Sequence, residues 1–139
     1  MIFSKKKRAR VEWVEAKDIG GRVRDLVRFG GFDGVKNIRV FCFRSFNSKT
    51  RAYARIWGLS RIWQQALGIQ AAYIIEVISE KFDRLSEKEQ DMVLIHELLH
   101  IPKNFSGALL AHRAKGGVND RVVREIYSRY MKDRGRLIR

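Results

Sequence analysis

Cysteine and proline are nearly absent: Cys42 and Pro102 are the sole examples among 139 residues. A lone cysteine cannot close an internal disulfide or build a cysteine metal cluster, so Cys42 reads as a small buried residue of a strand. One proline leaves no proline-rich linker to divide the chain, and no repeat or low-complexity segment appears. No apolar run is long enough to span a bilayer, and the start, Met1 to Arg8, lacks the apolar stretch of a secretory signal. A cytoplasmic protein without a membrane partner is therefore expected. Acidic residues are also scarce, 15 against 29 lysines and arginines, for a net charge of +14. Histidine is scarce as well, and all three copies fall between residues 96 and 112.

What remains is an ordinary globular composition, 45% hydrophobic, in a length that allows one core. We expect a single domain over 1–139, with a basic N-terminal segment at 1–15 and a loose basic tail at 134–139. The periodicity changes along the chain. From Ala16 to Phe29, Ile19, Val23, Leu26 and Val27 share a helical face, and Gly30-Gly31 ends the pattern. Asn37–Phe43 alternates as a strand, Ser45–Thr50 is a polar connector, and Arg51–Trp57 alternates again. Leu59–Leu67 reads as a short helix capped by Ser60, with Ile62, Trp63, Ala66 and Leu67 inward. Ala71–Ser79 is rich in β-branched residues and reads as a third strand. Ser86-Glu87-Lys88-Glu89 is a capping box that starts a helix over Glu87–His100. A last amphipathic helix runs from Arg121 to about Lys132, capped by Asn119 or Asp120.

The positive charge is uneven, with 16 basic and 5 acidic residues in 1–61 but 13 and 10 in 62–139. A cationic first half can release counterions from a nucleic-acid backbone, which makes nucleic acid a candidate partner. A solvated surface or an acidic protein would also account for it. Trp13, Phe29, Phe32, Tyr53, Trp57 and Trp63 lie among these charges, and their spacing favours burial in the core over stacking on bases.

The stretch His96-Glu97-Leu98-Leu99-His100 carries the chemistry. On a helix, residues four apart share a face, so His96 and His100 can present two imidazoles to one ion with Glu97 beside them. A catalytic zinc site needs a third protein ligand and an open position, and His112 follows after a turn. The expectation is one Zn2+ per chain, with Glu97 as general base. Tyr127, Tyr130 and Arg113 are candidates for stabilising a developing oxyanion.

The segment from His96 to His112, with His-Glu-Leu-Leu-His-Ile-Pro, Phe105-Ser106-Gly107 and the later histidine, resembles the metallopeptidases of phages and archaea. These are minimal zincins related in plan to the SprT-like proteases, and the resemblance runs from about Asn37 to Tyr130. It implies an α+β, zincin-like fold with a three- or four-stranded sheet packed on helices, and a peptide or protein substrate. It implies further that the strand before the metal helix forms the sheet edge, so that Tyr73, Ile74, Ile75, Glu76 and Val77 would receive an extended peptide. It supports His112 as third ligand. Glu125 and Asp120 stay open, because another group of zincins uses a glutamate from a later helix. A ribonuclease of the YbeY type also clusters three histidines but has no glutamate directly after the first. The remaining alternative is a nucleic-acid-associated protein that keeps the metal site without turnover.

Overall fold

A computed structural model describes residues 9–114 and 117–138. The N-terminal basic run from Lys5 to Arg8 and the Lys115-Gly116 break lie outside these residues. Four strands form one mixed sheet in the order β1-β2-β4-β3, where β1 is Glu12–Glu15, β2 Val40–Phe46, β3 Ala54–Gly58 and β4 Tyr73–Ile78. β1 runs antiparallel to β2, β2 parallel to β4, and β3 antiparallel to β4. The architecture is α+β, of the size and plan of a small zincin-like fold.

Helix α1 (Lys17–Gly30) buries Ile19, Val23, Leu26 and Val27, the face read from its period, and ends at Gly31 with φ 77°. That left-handed turn lets the Gly31 amide donate to the Val27 carbonyl, and a side chain there would be strained. After the one-turn α3 (Ser79–Phe82), helix α4 (Glu87–Leu99) starts at the Ser86 capping box, and α5 spans Asp120–Ile138. Helices α1, α4 and α5 pack together against one face of the sheet, where Ile75, Val77 and Tyr73 meet Leu94, Ile95, Leu98, Ile126 and Tyr130. The buried Asp91 of α4 accepts from the Arg22 guanidinium of α1 at 2.6 Å, which sets the rotation of α4 on the core. Cys42 is buried in β2 as expected, and burial pushes its thiol up to about 11.

Several boundaries differ from the sequence reading for physical reasons. Asn37–Arg39 is a 3-10 turn, and β2 instead includes Arg44, Ser45 and Phe46. These residues pair with β1, a strand that the basic segment concealed, and Arg44 binds the carboxylates of Asp18 and Asp83 at 2.6 and 3.1 Å. Helix α2 (Arg61–Leu67) forms, but no residue of it is buried and Ser60 makes no side-chain cap. Ile62, Trp63 and Leu67 face solvent, because α2 is tied to its neighbours through Gln64 and not through an apolar face. Helix α5 continues past Lys132 to Ile138, so residues 134–138 are helical: Arg and Lys sustain a helix, and the single Gly135 costs only about 1 kcal/mol. Of the aromatic residues expected inside, Phe29 and Phe32 pack on the core, whereas Trp13, Tyr53, Trp57 and Trp63 are exposed.

Candidate metal centre and catalytic cleft

His96 and Glu97 sit in the last turn of α4, and His100 is its C-cap. The chain then leaves the helix at Ile101 and Pro102 and winds through a loop that returns His112 to the helix end. Several contacts hold that loop. Ile101 and Phe105 insert into the core, and the Phe105 ring lies edge-on to Tyr73 at 4.9 Å. The Tyr73 hydroxyl accepts from the Gly107 amide and donates to the Ala108 carbonyl, both at 2.8 Å. Gln64 of α2 donates to the carbonyls of Leu59 and Ser106. Gly107 has φ 96°, and a Cβ there would collide with the Leu59 carbonyl. Beyond the loop, His112 bridges to Val118, and Asn119 caps α5 through the Val122 amide at 3.0 Å.

The three imidazoles converge. His96 Nε2 lies 2.9 Å from His112 Nε2 and 3.4 Å from His100 Nε2. All three ligand nitrogens fall within 4.8 Å of one another. Nitrogens bound about 2.0–2.1 Å from a tetrahedral ion stand about 3.3 Å apart, so the donor set fits one metal ion. The Leu110 backbone grips His100 twice, its amide donating to the His100 carbonyl at 2.7 Å and its carbonyl accepting from Nδ1 at 2.5 Å. With the proton assigned to Nδ1, the Nε2 lone pair of His100 faces the cluster, as a metal ligand requires. Desolvation, followed by repulsion from His100 and His112, holds His96 below the ordinary imidazole range; Asp120 opposes this. A neutral ring is the form that donates a lone pair.

Glu97 is 7% exposed and lines a cleft of about 420 Å³ with His96. Burial alone pushes its carboxyl up to about 7. The other walls are Tyr53, Ala54, Met92, Val93, Asp120, Val123 and Arg124. Tyr53 and Arg124 were not legible as site residues, since nothing in their local pattern marks them. Tyr127, Tyr130 and Arg113 do not border this cleft; Tyr130 is buried against Phe29. Glu125 is outside the histidine cluster and accepts from Arg121 at 3.2 Å, while Asp120 borders the cleft without joining the cluster.

One expectation is overturned. Tyr73–Val77 is not a sheet edge, because β4 pairs with β2 on one side and β3 on the other, and its backbone is already engaged. The chain makes β3 first and then inserts β4 between it and β2, so the strand before the metal helix ends in the interior. Among the described residues the sheet edge beside the cleft is β3, whose first residue, Ala54, is part of the cleft wall.

A small α+β chain with three histidines grouped so that they could hold one metal ion, and a buried carboxyl beside them, defines the class. The chain belongs to the family described as "Putative phage metallopeptidase", which matches residues 11–127 and so takes in β1 and α1 as well as the histidines. Neither a curated protein nor a solved structure matches it.

Proposed function

We propose that this protein is a zinc-dependent peptidase that hydrolyses peptide bonds of a protein or peptide substrate. The observation that carries the reading is the placement of Glu97, buried in the cleft wall directly beside the ligand His96. His96, His100 and His112 would hold the ion, and when bound it would supply Lewis acidity, polarising a carbonyl and acidifying water. With three histidines as its protein donors, fewer than a closed structural site uses, the set would suit a catalytic ion.

Glu97 takes a proton from the attacking water and gives it to the departing amine. Its affinity for a proton, raised by burial, suits a group that must both accept and release one near neutral pH. An extended substrate adds to the edge of β3, which directs one of its carbonyls into the cleft at Ala54. Tyr53 and Arg124 are the donors that the cleft wall offers to a developing oxyanion.

Incubating zinc-loaded protein with a mixed peptide library, read by mass spectrometry, tests this. Cleavage should occur in native protein, disappear with chelator, return on adding zinc, and be lost in Glu97→Gln. Cleavage that persists in Glu97→Gln would refute the mechanism.

A further inference from the structure

The large helices cover one face of the sheet, the one that presents Cys42, Ile75 and Val77. The opposite face is aromatic and open. Register places Phe41, Ile74 and Trp57 in one row across β2, β4 and β3, and Phe43, Glu76 and Arg55 in the next. Trp13 comes in from β1, and with Phe43, Trp57, Ile74 and Glu76 it lines a shallow depression of about 250 Å³. Trp13, Phe41 and Trp57 are 57%, 44% and 48% exposed. An apolar surface spread over four strands marks a contact site.

The chemistry of the face says what it contacts. Glu76, 1% exposed, accepts from Arg55 Nε and from the Trp57 indole, both at 2.8 Å, and Arg55 lies 4.9 Å from the Trp57 ring centroid. Trp57 is thus anchored by a hydrogen bond to a buried carboxylate, and its ring is a fixed plate. The first 61 residues, which supply β1, β2 and β3, hold 16 basic and 5 acidic side chains. Arg39, at the entry to β2, caps the carbonyls of Gln70 and Ala71, and in sequence Lys5, Lys6, Lys7, Arg8 and Arg10 lead directly to Trp13. Glu15, beside Phe43, is an exposed acid on this face. A second copy would set +14 against +14, which opposes self-association. The occupant that brings negative charge together with flat apolar rings is single-stranded nucleic acid, whose bases stack on aromatic side chains while cations attract its phosphates.

We propose that this sheet face binds single-stranded nucleic acid, with unpaired bases stacking on Trp13, Phe41 and Trp57. The site is distinct from the metal centre and does not depend on the peptidase reading.

Fluorescence anisotropy with a labelled oligothymidylate, a duplex of equal length and polyglutamate as a base-free competitor tests it. Full-length native protein should prefer the single strand, weaken as salt rises, and be displaced poorly by polyglutamate. A Trp13→Ala/Phe41→Ala protein, which leaves the Arg55–Glu76–Trp57 contacts in place, should bind at least about tenfold more weakly with an unchanged melting temperature. Equal affinity in native and variant proteins overturns the proposal, as does duplex binding as tight as single-strand binding. Equally tight polyglutamate binding overturns it in favour of an acidic protein partner. Should the variant unfold, a Trp63→Phe protein decides: oligothymidylate must quench the emission of Trp13 and Trp57, and unquenched emission at saturation overturns the assignment.

Discussion

Glu97 carries two demands that pull in opposite directions. Its burial costs folding free energy when the group is charged, and the same burial raises its affinity for a proton, as the proposed general base requires. Glu97→Gln should therefore lower peptide hydrolysis by about 10²–10⁴-fold while leaving the melting temperature of metal-free protein unchanged or higher. Parallel turnover and thermal-melt measurements check both halves. Cys42 offers a simpler test. Its thiol is buried and its pKa pushed up to about 11, so at pH 8 it should react with a thiol reagent only as fast as the protein opens, and at once in denaturant. The histidine cluster was legible because its members lie within seventeen residues and two of them are one helix turn apart. Tyr53 and Arg124 were not, because they reach the cleft only through the packing of β3 and α5 on α4.

Among elements, the loop between α4 and His112 decides whether the third imidazole arrives. Gly107→Ala would set a side chain against the Leu59 carbonyl at a φ of 96°, so it should weaken zinc affinity without altering a ligand. A competition titration with a chelating dye reads this directly, and unchanged affinity would show that the loop does not position His112. Ser86→Ala removes only the cap of α4 and should cost about 1 kcal/mol of stability with zinc stoichiometry intact. The capping box and the α1 period are local, and both were readable. Strand order was not local: whether β4 ends at an edge depends on where β3 goes, and no periodicity in Tyr73–Ile78 encodes that. Burial on both sides would have been the one clue, since Ile75, Glu76, Val77 and Ile78 are consecutively buried. The exposed face of α2 escaped notice for the converse reason, as apolar residues at helical spacing ordinarily mark a core.

At the scale of the whole molecule, the carboxylates tied to arginine govern acid stability. Arg44 holds Asp18 below the ordinary carboxylate range, and although burial raises Asp83 and Glu76, hydrogen bonds from Arg44 and Arg55 bring both below it as well. Each folded value lies under its unfolded one, so the stabilisation is complete above about pH 4–4.5 and is lost as pH falls through the folded values. An Arg44→Met protein should show a shallower acid limb in melting temperature against pH, and an unchanged limb would mean that these pairs contribute nothing to it. The same molecule places its three-histidine cluster at one end of a helix and exposed aromatic rings on the far face of the sheet, with the core between them.

The proposed chemistry requires that His96, His100 and His112 together can hold one metal ion. Elemental analysis of native protein, His112→Ala and Glu125→Ala, each loaded with zinc and desalted, measures it. The geometry predicts about one zinc per chain in native protein and in Glu125→Ala, and its loss in His112→Ala. Native protein that takes up no zinc, or a His112→Ala protein that retains it while Glu125→Ala does not, would contradict the three-histidine centre.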